Sequence, residues 1–421
     1  MPSVSVRARE AYRSPIRELE DVAAAARARG THVHHLNIGQ PDLPTPPAAW
    51  RALERAGRRG AGGPGGGEAD GVLAYGPARG LPSYRAALVD YYARWGVRDL
   101  DVEHVNVTTG ASEALWLAIN AVADPGDEVV VPEPFYALYN GLLELGDVAV
   151  SPVPTYLAEA FALPGAAQIE AAVTPRTRAI LLCNPNNPTG QVYDRATLER
   201  IAAVAARHDL YVIVDEVYRE FVYEGTFTSA LAVEALRERA VVIDSVSKRY
   251  SACGARIGSV TSRDAELMLA ITRLGRFRLC PPTLGQVMCE AILRDDADYL
   301  AASRREYARR RRVLYEGLTA IPGVRAYLPQ GAFYCFAELP VADAEAFARW
   351  LLTDFSHEGA TVMLAPGAGF YATPGRGASE VRIAYVLAET KLGAALACLR
   401  AALRVYPTAK PYSISNQLVA D

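Results

Sequence analysis

No stretch of this 421-residue chain stays apolar for long. Runs such as AILLC and VVIDSV stop after a few residues, whereas a helix that crosses a bilayer needs roughly 20. The N-terminal segment MPSVSVRAREAYRSPIRELE has scattered charges and lacks an apolar core followed by a small-residue cleavage site, so it does not read as a secretory signal. A surplus of charge is missing as well. The formal net charge of −3 gives no basic field for nucleic acid. The six cysteines, Cys183, Cys253, Cys280, Cys289, Cys335 and Cys398, include no CxxC pair, which favours reduced, buried thiols over a disulfide or zinc framework. The run His32-Val33-His34-His35 has no second ligand cluster to make it a metal site. The expectation is a cytoplasmic protein with no metal, no membrane and no nucleic-acid partner.

What is present is a chain 51% hydrophobic and 22% charged, the profile of a soluble protein with a large core and length enough for two or three packed units. From Val105 to Ser262, apolar runs rich in β-branched residues alternate with helical stretches: VNVTT, EVVVPEP, RAILLCNP, LYVIVDEV, AVVIDSVS and RIGSVTS. Strands alternating with helices imply a mostly parallel sheet covered on both faces, with segments such as Ala196 to His208 as covering helices. After about Asp298 the pattern changes to an arginine-rich helical stretch, YLAASRREYARRRRVLYEGL, and then to a mixed region with GAFYCFAEL and VRIAYVLA. That reads as a smaller α+β unit, and the arginine stretch as a solvated amphipathic helix. The glycine-rich RRGAGGPGGGEADG between Arg58 and Gly71 lacks the Lys-Ser/Thr ending of a phosphate-binding loop and reads as a mobile surface loop.

Four segments carry chemistry. In Asp244-Ser-Val-Ser-Lys248-Arg249, a lysine directly after a buried strand is placed to be desolvated and to act as an amine nucleophile, although a lysine there also reaches water easily. Asp215 ends the apolar strand LYVIV, where a buried carboxylate needs a cationic partner; a cap on the next turn is the plainer alternative. Asn184-Pro-Asn-Asn187-Pro-Thr-Gly190 follows another strand, and its composition sets a rigid loop where open α/β sheets bind ligands. Thr109-Gly110-Ala111-Ser112 opens a helix, offering free N–H groups and a dipole to a phosphate, or simply an N-cap.

Read in order, NIGQPDLPTP, YGPARGLPSYRAAL, TTGASEAL, EPFYALY, NPNNPTG, DEVYREF, SVSKRYSACGARIGS, PQGAFY and VRIAY resemble the fold-type-I, class I/II aminotransferases of the aspartate aminotransferase superfamily over nearly the whole chain. The resemblance implies an α/β, three-layer fold. A mostly parallel seven-stranded sheet would form a large domain over 45–298 that binds pyridoxal 5′-phosphate (PLP). Residues 1–44 and 299–421, both chain ends, would form a small α+β domain. It further implies a homodimer with shared active sites.

Carried over by motif, Lys248 resembles the Schiff-base lysine, Asp215 the partner of the pyridinium nitrogen, and Tyr218 and Asn187 the donors to the phenolic oxygen. Gly110, Ala111, Ser112, Ser245 and Arg256 fall at phosphate-binding positions, and Tyr136 at the ring that stacks on the pyridine. Arg382 resembles the arginine that grips the substrate α-carboxylate, with Gly39 lining the same pocket and Asn187 also near substrate. Tyr75 matches a tyrosine that reaches the phosphate of the neighbouring subunit. One departure is Ala255 before Arg256, where the family often carries a bulky aromatic and where a roomier cofactor rim follows.

The function implied is amino-group transfer between an L-amino acid and a 2-oxo acid. The alternative is α,γ-elimination, ring closure or carbon–carbon bond formation on the same cofactor, as in enzymes similar to 1-aminocyclopropane-1-carboxylate synthase acting on S-adenosylmethionine. A PLP-sensing transcription regulator is the reading from another class; the residues before Asn37 are too few for its DNA-binding domain. Specificity for a substrate's distal group is expected from Arg273, Arg276 and Arg278 before Cys280-Pro281-Pro282, unless these cations pair with acids or with phosphate.

Overall fold

A computed structural model describes residues 2–12, 14, 17–58 and 72–407. The glycine-rich stretch at 59–71 and the last segment, 408–421, lie outside the described residues. The chain divides into two compact units. The first comprises Met1–Tyr12, Gln40–Tyr307 and Gln330–Ala332, and the second Arg13–Gly39, Ala308–Pro329 and Phe333–Asp421.

In chain order, β1 (His32–His35) belongs to the second unit. The first unit holds β2 (Val105–Thr108), β3 (Glu128–Glu133), β4 (Ala149–Pro154), β5 (Thr177–Cys183), β6 (Tyr211–Asp215), β7 (Ala240–Ser245) and β8 (Gly258–Thr261). The second unit adds β9 (Arg325–Ala326), β10 (Tyr334–Glu338), β11 (Ala360–Met363), β12 (Ala365–Pro366) and β13 (Glu380–Ala384).

The first unit is built on a seven-stranded sheet in the order β2-β8-β7-β6-β5-β3-β4. Only β8 runs antiparallel to its neighbours. The β-branched runs named above form all of these strands except β4, whose AVSPVP contains two prolines. It lies at the sheet edge, where a missing N–H costs no ladder bond. Strand alternation sorts the central side chains into two sets. Val212, Val214, Ala240 and Val242 pack with Leu198, Ile201 and Ala205 of the helix Arg195–His208. Ile213, Asp215, Ile243 and Ser245 point the other way, the side taken by the helix Gly110–Val122, which packs on β6, β7 and β8. Both faces are therefore covered, as a parallel sheet requires.

In the second unit β1 pairs in parallel with β11, and β12-β13-β10-β9 form an antiparallel sheet. Leu19, Ala23, Ala26, Val33, Ala348, Leu352 and Met363 make one of its apolar clusters. The arginine-rich stretch is a helix, Ala297–Thr319, but it is not solvated throughout. Arg310 and Arg311 are buried, and the Arg310 guanidinium donates to the carbonyl of Val386. A guanidinium can be buried this way because a backbone carbonyl replaces the lost water.

Candidate active site

β7 ends at Ser245, whose hydroxyl sets the next turn. It accepts from the Ser247 N–H at 3.2 Å and donates to the Ile257 carbonyl at 2.8 Å. The single helical turn Val246–Arg249 that follows carries Lys248, half-buried, at the carboxyl edge of the sheet.

On the adjacent strand, Asp215 closes β6 at 2% exposure. Tyr139 Oη donates to its Oδ2 at 3.1 Å and the Val217 N–H to its Oδ1 at 3.3 Å. Burial pushes the Asp215 carboxyl up to about 6, and the Asp244 carboxylate adds to the push. The two hydrogen bonds and the Lys248 charge only partly offset it. Tyr136 meets Tyr139, the phenol that bonds Asp215, edge to face, ring centres 5.6 Å apart. Cys183 pairs with Asp215 across the β5–β6 ladder. The loop after Cys183 is locked by its asparagines: Asn184 exchanges hydrogen bonds with the Tyr193 backbone, and Asn186 Oδ1 accepts from the Thr189 N–H and hydroxyl. Asn187 in that loop and Tyr218 after β6 are both buried.

The helix Gly110–Val122 starts without a side-chain cap from Thr109. Instead the Glu113 carboxylate accepts the Thr109 N–H at 2.5 Å. Gly110 has φ +78°, and a Cβ there would fall 2.5 Å from Arg256 Nη2. Arg256 donates to the carbonyls of Cys253 at 3.1 Å and Thr109 at 3.4 Å while its side chain stays exposed. Gly258 backs the same turn, since a Cβ there would lie 2.8 Å from the Ala111 nitrogen. Gly110, Ala111 and Ser112 thus present N–H groups at a helix N-terminus beside a guanidinium, an arrangement suited to an anion.

In the second unit, Arg382 on β13 is 1% exposed. Its guanidinium lies 4.4 Å from the Tyr334 ring centre and 5.1 Å from that of Phe370, and donates to the Asn37 carbonyl. A Cβ on Gly39 would sit 1.8 Å from Tyr334 Oη, so it is the Tyr334 phenol that requires glycine here. Tyr75 is 80% exposed in the single chain. Arg278 is committed within the first unit: Nε pairs with Glu113 at 2.8 Å, and its other nitrogens donate to Val107 and Ala78 carbonyls. It therefore braces the start of the helix Gly110–Val122. Arg273 and Arg276 are exposed. Sequence reasoning missed Tyr139, Tyr334 and the Glu113–Arg278 brace. The signal for Tyr139 was its place one helical turn after Tyr136.

An amine on a turn at the carboxyl edge of an open α/β sheet, beside a buried carboxyl raised toward neutrality and an arginine-backed helix N-terminus, is an arrangement suited to an anionic ligand. Residues 31–399 match the class I and II aminotransferase family. The aspartate/prephenate aminotransferase of Thermus thermophilus is 32% identical over 378 residues, 89% of this chain and 92% of that protein. The solved structure of an aspartate aminotransferase from Thermus thermophilus with maleate is similar at TM-score 0.85 and 30% identity, covering 96% of this chain and 100% of that one. An alanine aminotransferase from Pyrococcus furiosus follows at TM-score 0.84 and 32% identity, covering 95% and 99%. The chain belongs to the class I and II aminotransferases and shares their fold-type-I α/β architecture. It is a transferase of amino groups, and these relatives do not favour elimination or ring-closing chemistry.

Proposed function

We propose that this enzyme moves the amino group between an L-amino acid and a 2-oxo acid with PLP bound covalently to Lys248. The observation that carries this reading is Asp215, a buried carboxyl raised to about 6 whose hydrogen bonds come from neutral donors, and which a cationic ring nitrogen would complete. When bound, PLP supplies the electron sink that takes up the electron pair of the substrate Cα–H bond.

The donor set fits that group. The N–H groups of Gly110, Ala111 and Ser112 and the Arg256 guanidinium suit a phosphate dianion, and the Ser245 hydroxyl would join them by turning from the Ile257 carbonyl. Asn187 and Tyr218 are assigned to the phenolic oxygen, and Tyr136 to the ring face. Lys248 Nζ accepts the Cα proton and gives it back, the role of a general base and then acid. Arg382 offers its planar fork to the α-carboxylate, held by the Tyr334 ring beneath it, with Gly39 alongside.

The same reading includes a cytoplasmic homodimer. Tyr75 at 80%, Phe277 at 87%, Leu279 at 54% and Leu284 at 43% exposure are large apolar side chains that a second copy would cover. A Cβ on Gly76 would lie 3.4 Å from Thr283 Oγ1, which brings the two segments together. Tyr75 would reach the phosphate held by the second copy. Aspartate, prephenate and alanine, named for the relatives, are the substrates to assay first.

Lys248→Ala tests the core of the proposal. Borohydride should fix PLP to the wild-type chain and not to the variant, and the variant should lose the half-reaction with aspartate and alanine. Covalent cofactor together with wild-type turnover in Lys248→Ala would overturn it.

A further inference from the structure

Three residues assigned to the cofactor each have a charged chain neighbour. Glu216 follows Asp215, Asp244 precedes Ser245, and Arg249 follows Lys248. These neighbours, with Arg219, gather on the opposite face of the sheet edge, against Tyr91 and Tyr92 of the helix Pro82–Ala93. All four are nearly closed to solvent: Glu216 is 0%, Arg219 and Asp244 1%, and Arg249 2% exposed.

The cluster is closely bonded. Arg249 donates to Asp244 Oδ2 and lies 4.3 Å from the Tyr91 ring centre. Arg219 Nη2 stands 3.1 Å from Glu216 Oε2 and 3.7 Å from Asp244 Oδ1, with its guanidinium 4.7 Å from the Tyr92 ring centre. Glu216 is fixed in turn by the Ser229 hydroxyl at 2.9 Å and the Ala230 N–H at 2.8 Å. Glu220, bonded by Tyr91, and Asp296, bonded by Tyr250 and Arg94, complete the charges on this face. Tyr139, Cys183 and Lys248 are the groups acting on Asp215 from its own side.

Apolar residues of the same volume generally hold a fold at least as well as buried ions do, so stability alone does not account for this cluster. Its geometry supplies another task. Arg249 and Lys248 are separated by about 100° around one helical turn, so anchoring Arg249 on Asp244 fixes the direction in which Lys248 leaves it.

We propose that Asp244 and Arg249 are positioning residues, holding Lys248 in register with the cofactor and setting the charge that reaches Asp215 through the sheet. The proposal rests on Lys248 being the cofactor lysine. It separates into a geometric part and an electrostatic part.

The test uses Arg249→Lys, Arg249→Met and Asp244→Asn as PLP-loaded enzymes, following kcat, KM and the pH midpoint of the visible absorption of lysine-bound PLP. Arg249→Met leaves Asp244 less compensated and should raise the midpoint by about one pH unit. Asp244→Asn removes that negative charge and should lower it. Arg249→Lys keeps the charge and loses the planar guanidinium that bonds Asp244 and lies on the Tyr91 ring, so the midpoint should stay while kcat falls about tenfold at unchanged KM. Midpoints that do not move in opposite directions, or a wild-type kcat in Arg249→Lys, would overturn the proposal. If Arg249→Met and Asp244→Asn do not hold cofactor, the kcat of Arg249→Lys decides alone. Covalent PLP persisting in Lys248→Ala would defeat the underlying reading instead, so the two failures are distinct.

Discussion

Asp215 ends β6 and Asp244 stands one residue before the end of the adjacent parallel strand β7, both at 2% exposure or less, and their carboxyls behave in opposite ways. Burial would raise Asp244, but the Arg219 and Arg249 guanidiniums override it and hold the group below the ordinary aspartate value. Burial does raise Asp215, to about 6, against only a hydroxyl, a backbone N–H and the partial influence of Lys248. Asp244 thus finds its counter-charges within the chain, while burial still lifts its neighbour Glu216 to about 7 beside Arg219; Asp215 has no guanidinium of its own. Buried charge by itself therefore does not mark a site.

The comparison breaks most visibly in the apo protein. Asp244→Asn strips two buried guanidiniums of their shared partner and should destabilise the apo chain by roughly 3–5 kcal/mol at pH 7 in urea unfolding. Because Asp244 is depressed, its contribution is present above the ordinary value of 3.8 and is lost as pH falls through its folded pKa. Asp215→Asn should act in the opposite direction. A rise from 3.8 to about 6 corresponds to roughly 3 kcal/mol, so removing that charge should stabilise the apo chain by roughly 1–3 kcal/mol at pH 7 while slowing Cα deprotonation severely in the loaded enzyme. The sign follows from linkage: the raised Asp215 favours the folded apo chain below about pH 4, and that contribution is lost as pH climbs to about 6. The two curves of stability against pH should therefore diverge between about pH 4 and 6, and parallel curves would refute the contrast. Tyr139→Phe is the smallest of these effects. Losing one donor should raise the Asp215 midpoint by less than about one pH unit and weaken PLP affinity only modestly.

Much of this was legible in the chain. Most strands of the main sheet announce themselves as short apolar runs, with β5, β6 and β7 closed by Asn184, Asp215 and Ser245, because a parallel strand buried on both faces must be continuously apolar. The family followed from ordered motifs lying at those strand ends. What was not legible depends on distant partners. Arg219 and Arg249 look like surface cations until Asp244 and the tyrosines of another helix are placed around them, and Arg310 and Arg311 misled in the same way. Arg278 read as a candidate for substrate contact because Glu113, which claims it, lies 165 residues away. Tyr139 and Tyr334 drew no assignment, since a phenol's hydrogen-bond partner has no local signature. β4 was hidden by prolines that only an edge strand tolerates.

The claim that Asp215 is left incomplete by the protein and completed by its cofactor can be measured directly. Carboxyl-carbon NMR of the aspartates, with the Asp215 signal identified by its loss in Asp215→Asn, gives the titration of this group with and without PLP. The apo enzyme should show a midpoint near 6, and the loaded enzyme should show Asp215 ionised throughout the range above about pH 5. A midpoint at or below the ordinary 3.8 in the apo enzyme, or one near 6 that PLP leaves unmoved, would contradict the account.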